Sequence, residues 1–207
     1  MFFDLRKSTL IKPSILNAIV APRPIAWVSS SSAGGGVNLA PFSYFTLLTN
    51  SPPTVIFSCV NPTDRREKDT LQNIRSSKEY VINMVSRDFL EAMHSTSRPA
   101  PYGTNEFDMI NLRSTHSENV KAPRVEGTPA ALECKLLKLV RIRPEHHDDL
   151  GCTAVIGRIV GLYVARHLLD SDGRFRSIEA GLVARLGGNL YSELGEITEL
   201  ASVARSE

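Results

Sequence analysis

A proline in the middle of an extended, apolar segment is the feature that most constrains how this chain can fold. The segment is residues 37–45, and Pro41 stands near its centre. Proline has no N–H to give to a strand ladder, so this segment cannot form an ordinary central strand. Backbone groups around Pro41 are therefore expected to face something other than a neighbouring strand. Because a buried backbone group without a partner is costly, a ligand with many hydrogen-bonding edges is expected there.

The preceding segment, residues 21–29, predicts a strand that shows two different faces. Ile25, Trp27 and Ser29 alternate with two small apolar residues, and a period of two is typical of strands. The run of serines and glycines at 30–36 then predicts a turn or a flexible loop.

Length and charge exclude several classes of protein. The chain has 207 residues, 42% of them apolar, which suits one globular domain with a sizeable core. Its 24 basic and 22 acidic residues give a net charge of +2 without a basic run, so nucleic acid binding is not expected. No apolar stretch reaches the length of a membrane span, and the first residues mix acid and base where an export signal would be apolar. We therefore expect a cytoplasmic protein that does not bind membranes.

Three widely separated cysteines fit this compartment. Cys59, Cys134 and Cys152 each lie in or beside an apolar run. An odd number of distant cysteines predicts small buried thiols in a reducing cytosol rather than disulfides or a metal site.

Short apolar or alternating segments predict five or more strands and only a few short helices. Strands are expected at 55–60, 80–85, 130–142 and 153–167, the last one bent at its two glycines. Nothing repeats as strand–helix–strand, so the predicted fold class is mainly β, a β-barrel with short helices in a single domain over residues 1–207.

Smaller features complete the expected layout. One helix should begin with Asp69 or Thr70 as its N-cap, and a capping box from Asp88 to Glu91 should open another. The polar residues 95–129 form a long excursion, which is typical of lids and binding segments. Glu133 falls on the polar face of its strand, where it is either solvated or part of a dimer contact.

A polar cluster follows the apolar strand at 55–60. Ser58 lies in that strand, and Lys68, Asp69 and Thr70 stand where a helix is expected to begin. An ammonium group, hydroxyls and free N–H groups at a helix start suit a phosphate monoester. The same residues are also found in solvated loops that end in an ordinary N-cap, so both interpretations stay open.

Patterns that would specify other chemistry are missing from the sequence. The glycines at 34–36 lack the following lysine and helix of a nucleotide-binding loop, and no nucleophile elbow is present. His146 to Asp149 are ligand-type residues, but they are contiguous in a charged turn, so a metal site is not expected.

Single aromatic residues are ambiguous in the same way. Trp27 is the only tryptophan and suits either core packing or contact with a planar cofactor. Phe42, Tyr44 and Tyr191 allow the same two interpretations.

Four short segments together share their sequence, order and spacing with one known family. They are PRPIAWVS at 22–29, NLAPFS at 38–43, KDT at 68–70 with Asn73 after it, and RLGGNLY at 185–191. In these segments the chain resembles the flavin reductase-like family of FMN-binding split-barrel proteins, to which flavoredoxin is related. The similarity runs from about residue 15 to residue 195.

The resemblance implies a fold, an assembly and a cofactor site. It implies a six-stranded antiparallel split barrel of Greek-key type and a homodimer with FMN near the subunit interface. Residues 38–43 are expected around the isoalloxazine ring, 29–30, 58–60 and 68–70 along the ribityl chain and phosphate, and 187–191 near the flavin, contributed by the partner subunit. The cofactor-binding residues expected on this basis are Trp27, Ser29, Ser30, Asn38, Leu39, Ala40, Pro41, Phe42, Ser43, Ser58, Cys59, Val60, Lys68, Asp69, Thr70, Gly188, Asn189 and Tyr191.

The implied activity needs no catalytic side chain. In such a reductase NADH or NADPH gives hydride to flavin N5, and electrons pass onward to an acceptor or a partner oxygenase. Backbone N–H groups of residues 39–43 are the predicted donors that stabilise the reduced ring. Two rivals remain: an FMN-binding electron carrier without a nicotinamide site, and a split-barrel protein for another ligand such as pyridoxal phosphate or haem.

Overall fold

The fold is organised around one large antiparallel sheet. The computed structural model describes residues 2–4, 13–64, 67–143 and 150–201. Strands β1 to β12 are, in chain order, Arg23–Pro24, Ala26–Ser31, Val37–Phe42, Phe45–Asn50, Pro53–Val60, Glu79–Asn83, Ser114–Thr115, Arg124–Val125, Ala130–Ile142, Cys152–Val164, Val183–Arg185 and Tyr191–Glu193. Helices α1 to α4 are Pro13–Ile19, Asp69–Ser77, Leu90–Ser95 and Glu106–Met109, with 3-10 turns at Arg87–Phe89 and Arg166–Leu168.

The large sheet closes into a barrel through one bent strand. Within the described residues its seven strands run in the order β3-β2-β6-β9-β10-β5-β4. Only Ser43 and Tyr44 separate β3 from β4, and the Ser58 N–H donates to the Tyr44 carbonyl at 2.9 Å. β3 and β4 are thus the two halves of one strand that joins both edges of the sheet. This gives the predicted six-stranded antiparallel split barrel.

The Greek-key connection is also confirmed. The neighbours β6, β2, β3–β4 and β5 lie side by side, which is the order fourth, first, second, third along the chain. The chain crosses from β5 to β6 through α2, which contacts β2, β3 and β6. The three-stranded sheet β1-β11-β12 and the small pair β7-β8 lie outside the barrel sheet.

Strand β2 has two buried faces, as its alternation predicted. Ala26 and Val28 lie in the barrel interior with Phe57 and other core residues. Ile25 and Trp27 face a second cluster on the outer side of the strand. Trp27 is completely buried, and its Nε1 donates to Thr96 Oγ1 at 3.0 Å. Its place is therefore in the core, and it does not reach a cavity surface.

Strand β10 bends at the two glycines that predicted the bend. Its pairing with β9 shifts register next to Gly157 and next to Gly161. A β-carbon on Gly161 would come 2.8 Å from Glu133 Oε2, so this glycine makes room for the carboxylate. Glu133 itself is only 4% exposed and accepts N–H bonds from Glu118 and Asn119 at 2.8 and 2.7 Å. The prediction of a solvated Glu133 was wrong, because the 118–119 segment covers that face of the strand.

The two predicted helix starts were misplaced. The N-cap of α2 is Lys68, without a side-chain cap, and Asp69 is already in the first turn. The capping box at 88–91 does not form; α3 begins at Leu90 after a 3-10 turn and has no side-chain cap. The Arg87 N–H donates instead to the Gly181 carbonyl at 2.9 Å. This pairing with a distant segment fixes the backbone where local sequence alone suggested a helix start.

The three cysteines, Cys59, Cys134 and Cys152, are free thiols. Among the described residues no helix is long and apolar enough to cross a membrane, and none of their His, Cys, Asp and Glu side chains form a group that could hold a metal ion. The charged turn at His146–Asp149 lies outside the described residues.

Candidate functional site

A cavity of about 660 Å³ opens where the edge strand β3 meets two loops. The loops are residues 60–70, which lead into α2, and residues 96–106, which lead into α4. The cavity is lined by Asn38, Ala40, Pro41, Val60, Asn61, Pro62, Thr63, Asp64, Lys68, Asp69, Thr70, Thr96, Ser97, Arg98, Pro99, Ala100, Glu106 and Leu150.

Pro41 lies where a missing N–H costs no ladder bond. The Leu39 N–H points away from β2 and donates to Glu106 Oε2 at 2.8 Å. Hydrogen bonds alternate along an antiparallel pair, so position 41, opposite Trp27, also faces outward. Ala40 and Pro41 thus give the cavity a short apolar strip on a backbone edge that no further strand of the described residues covers.

This geometry revises the prediction about backbone donors in residues 39–43. Leu39 already gives its N–H to Glu106, and Pro41 has none. By the same alternation Ala40 and Phe42 direct theirs toward β2. Ser43 lies beyond the end of β3, so this alternation no longer fixes the direction of its N–H.

A chain of hydrogen bonds joins three elements at the inner end of the cavity. The hydroxyl of Thr70, on α2, donates to Asn38 Oδ1 at 2.6 Å. The Asn38 amide, on β3, donates to both carboxylate oxygens of Glu106, on α4, at 3.0 and 2.9 Å. Asn38, Thr70 and Glu106 are all buried, so this part of the wall is rigid.

The start of α2 presents opposite charges at adjacent positions. Asp69 is 7% exposed and accepts the Gly103 N–H on Oδ2 at 2.9 Å. Lys68 is half-buried, and its Nζ lies 5.8 Å from the centroid of the Phe42 ring. Arg98 adds a second cation to the cavity lining, together with the hydroxyls of Thr63 and Ser97.

Burial raises the pKa of two groups near the cavity. It raises the pKa of Glu106, and the neighbouring Asp69 adds to this rise, while the Leu39 N–H and the Asn38 amide oppose it. Burial also raises the pKa of the Cys59 thiol to about 12 despite the nearby Lys68 ammonium. Cys59 is therefore a protonated thiol at neutral pH, which is a poor nucleophile.

The structure brings part of the sequence-predicted set together and leaves part of it in the core. The predicted residues that line the cavity are Asn38, Ala40, Pro41, Val60, Lys68, Asp69 and Thr70. Those that are buried behind its wall are Trp27, Ser29, Ser30, Leu39, Phe42 and Cys59. Their hydroxyls already have protein partners: Ser29 Oγ donates to the Pro123 carbonyl at 2.5 Å, and Ser30 Oγ accepts from Asn73 at 3.2 Å.

The remaining predicted residues lie outside the cavity lining. Ser43 and Ser58 are half-buried at the β3–β4 bend and on β5. The turn with Gly188 and Asn189 joins β11 to β12, and Tyr191 is the first residue of β12. The Tyr191 hydroxyl lies 2.9 Å from His94 Nδ1. The side chain of Arg185 donates to the Tyr191 hydroxyl and to the Gly188 carbonyl, which holds the turn in shape.

Residues 61–64 and 96–106 supply most of the lining that sequence patterns did not single out. Glu106 is the most consequential of them, because it links the cavity to β3. The sequence does carry one local signal for it: Asn105 caps α4 by accepting the Phe107 N–H at 3.1 Å. That places Glu106 in the first turn of a short helix inside the long polar excursion, which the sequence predicts to be a lid or a binding segment.

Comparisons with known proteins agree with this architecture. The flavin reductase-like domain model matches residues 20–179. A protein of Aquifex aeolicus is 36% identical over 173 residues, which cover 84% of this chain and 85% of the relative.

Two solved structures are similar over nearly their whole length. Component B of nitrilotriacetate monooxygenase from Bacillus cereus has a TM-score of 0.89 and 29% identity, covering 97% of this chain and 98% of that one. The 2-nitrobenzoate 2-nitroreductase of Pseudomonas fluorescens has a TM-score of 0.84 and 27% identity, covering 100% and 98%. With the barrel, the edge strand and the domain match in agreement, the chain belongs to the flavin reductase-like family.

Proposed function

We propose that this protein is an FMN-dependent oxidoreductase that takes hydride from NADH or NADPH and passes electrons to an acceptor or a partner oxygenase. The observation that carries the proposal is the cavity, whose lining combines the side chain of Lys68 with the apolar strip of Ala40 and Pro41. A cation with hydroxyls suits a phosphate monoester, and a flat apolar strip suits an aromatic ring. The names of the two structural relatives, a monooxygenase component and a nitroreductase, support a redox role.

The residues present fit FMN in size and in chemistry. The volume of about 660 Å³ lies within the range of about 300 to 1,000 Å³ that small-molecule sites occupy. Lys68 and Arg98, with the hydroxyls of Thr63 and Ser97, would hold the phosphate. Ala40 and Pro41 would pack against the ring, and the polar inner end would receive hydrogen-bonding groups between them.

The work of the chain in such a reaction is binding, orientation and exclusion of water. FMN supplies the hydride and electron chemistry when it is bound. The network of Thr70, Asn38 and Glu106 holds one part of the cavity wall in place, and Lys68, at the start of α2, adds a cation to the lining. The protonated thiol of Cys59 is not needed as a nucleophile, and no side chain is assigned a catalytic proton transfer.

The visible spectrum of the purified protein tests this proposal. We expect flavin absorbance after incubation with FMN and removal of free flavin, and loss of that absorbance when NADH or NADPH is added without oxygen. FMN binding without bleaching by either nucleotide would instead assign an electron carrier. A protein that takes up no FMN, or that shows the absorbance of haem or pyridoxal phosphate, would overturn the proposal.

We also propose that the protein is a homodimer. Four leucines on the barrel strands β4, β9 and β10 are at least half exposed: Leu47, Leu48, Leu137 and Leu162. Exposed apolar surface of this kind marks interfaces, and a second copy, with its turn at 187–191 near the flavin, is the partner that the family resemblance suggests. Light scattering should give the mass of two chains, and a monomeric mass at micromolar concentration would contradict the proposal.

Dependence on NAD(P)H and three free thiols both suit a cytoplasmic location.

A further inference from the structure

The inner end of the cavity is formed by four residues that we call the inner wall: Asn38, Asp69, Thr70 and Glu106. Each is buried to more than nine-tenths and each lines the cavity. Each hydrogen bond among Asn38, Thr70 and Glu106 can run in only one direction from donor to acceptor. Glu106 determines that direction.

Glu106 fixes the orientation of the Asn38 amide. An ionised carboxylate can only accept hydrogen bonds, and Glu106 accepts from Asn38 Nδ2 and from the Leu39 N–H. The amide nitrogen of Asn38 must therefore face Glu106, which leaves Oδ1 toward Thr70.

Asn38 in turn fixes the hydroxyl of Thr70. Oδ1 cannot donate, so the contact of 2.6 Å uses the single hydrogen of Thr70. The hydroxyl then has only lone pairs to offer to the cavity. Glu106 thus determines the hydrogen-bond direction at Asn38 and, through Asn38, at Thr70. As a result the inner wall offers hydrogen-bond acceptors to a ligand.

Charge acts in the same direction as the hydrogen bonds. Glu106 and Asp69 are both carboxylates of the inner wall, and the charge of Asp69 adds to the rise in the pKa of Glu106 that burial causes. A phosphate monoester carries a charge of about −1.5 to −2 at neutral pH and is repelled there. The two cations of the same lining, Lys68 and Arg98, attract it instead.

We propose that Glu106 is a specificity-determining residue: it makes the inner wall an acceptor surface that takes a neutral, hydrogen-bond-donating part of the ligand and directs the phosphate away. This inference rests on the proposed flavin site. In a flavin, the neutral donors are the ribityl hydroxyls and the ring N–H group. Either source satisfies the inner wall, and the experiment below separates them.

The test measures dissociation constants of FMN, riboflavin and lumiflavin by quenching of flavin fluorescence. Glu106→Gln introduces an NH₂ group that either opposes the Asn38 NH₂ or makes the Asn38 amide turn over, which leaves the Thr70 hydroxyl as a donor toward the cavity. We expect the affinity of this variant for FMN and for riboflavin to fall by the same factor, about tenfold or more. An unchanged lumiflavin constant assigns the ribityl hydroxyls as the donors, and an equal loss for lumiflavin assigns the ring N–H.

Opposite results would overturn the inference. If Glu106→Gln binds FMN more tightly than the wild type while riboflavin is unchanged, the phosphate lies at the inner wall. Unchanged dissociation constants for both FMN and riboflavin would show that the inner wall does not contribute to ligand binding. If the wild type binds none of the three flavins, the proposed function fails, and that outcome is distinct from both.

A double variant separates polarity from simple loss of packing. Asn38→Asp with Glu106→Gln keeps the net charge and restores every pair: the new carboxylate at 38 accepts from Thr70 and from the new amide at 106, whose oxygen accepts the Leu39 N–H. We expect riboflavin affinity within about threefold of the wild type. A double variant that melts like the wild type but binds as poorly as Glu106→Gln overturns the inference.

Thr70→Val provides a test that leaves Glu106 and Asn38 unchanged. The substitution keeps the shape of the side chain and removes the lone pairs that face the cavity. We expect FMN and riboflavin to lose affinity by a similar factor of about three to ten. Equal affinity of this variant and the wild type for both flavins would contradict an acceptor wall, even if Glu106→Gln could not be folded.

Discussion

The hydroxyl oxygen of Tyr80 lies directly over Gly157 in the barrel interior, so close that a β-carbon on Gly157 would come within 2.0 Å of it. Tyr80 is completely buried on β6, and the ring also meets Phe57 edge-on at a centroid distance of 5.6 Å. The ring therefore has no free side to which it could move. The bend of β10 at Gly157 and the packing of Tyr80 depend on each other.

Gly157→Ala should destabilise the protein by about 1–3 kcal/mol, since an added methyl group in a packed core forces neighbouring atoms to shift. Urea unfolding measures the change. Gly195→Ala is a matched control, because no atom lies within 4 Å of a β-carbon there. In a Tyr80→Phe background the loss should shrink, and an equal loss in both backgrounds would show that the hydroxyl is not the obstacle.

Lys68→Ala should weaken FMN binding by about 1.5–3 kcal/mol, the range for a hydrogen bond to a charged group. Riboflavin, which has no phosphate, should bind the variant and the wild type equally. Fluorescence titration with both ligands measures this. Lys138→Ala, at an exposed position on β9, is the control. An unchanged dissociation constant for FMN in Lys68→Ala would refute the assignment of the phosphate contact.

The Glu79–Lys135 pair should make stability depend on pH. Burial opposes ionisation of Glu79, but the Lys135 ammonium at 2.5 Å and the Lys121 N–H at 2.7 Å outweigh it and lower the pKa of the carboxyl. A lowered folded pKa stabilises above the ordinary carboxyl value of about 4.3, and this stability is lost as pH falls through the folded value.

Lys135→Met should therefore cost stability at pH 7 and lose its effect under acid. The lysine is 46% exposed, so solvent screening limits the loss to about 0.5–1 kcal/mol. Urea midpoints at pH 7 and pH 3 measure the difference between variant and wild type. A difference that stays constant across this range would exclude Glu79 as the responsible group.

Thiol reactivity should distinguish Cys152 from the other two cysteines. Burial raises the pKa of both Cys59 and Cys134 to about 12, and reagents need an accessible thiolate. Cys152 is half-buried. Ellman's reagent should label about one thiol per native chain, all three after denaturation, and none rapidly in Cys152→Ala. Fast labelling of two or more thiols in the native protein would show that the barrel interior opens readily.

Strand positions could be predicted from the sequence, because apolar periodicity and Pro41 report directly on burial and pairing. The bend of β10 followed from its two glycines, and the edge position of β3 from its proline. Helix starts could not be predicted as well. Pairing of Arg87 with Gly181 fixes the backbone near α3, and no local pattern encodes that contact.

The site was predictable only where the chain itself carries the motif. Residues 38–41 and 68–70 were named from the sequence and line the cavity together. Glu106 was not, because its importance comes from a hydrogen bond to a strand 67 residues away. The prediction for Glu133 failed for a similar reason: alternation along β9 cannot reveal that the segment with residues 118–119 covers one of the faces of this strand.

The packing of α2 in the barrel core bears on when, during synthesis of the chain, the cavity can form. Leu71 and Ile74 belong to the same interior cluster as Cys134 of β9 and Val155 of β10. Ribosomes add about 5–20 residues per second from the N-terminus, so these two strands are the last of the barrel to appear. Residues 38–106, which supply nearly all of the cavity lining, are made before that cluster is complete. We therefore expect ligand capture to follow completion of the barrel.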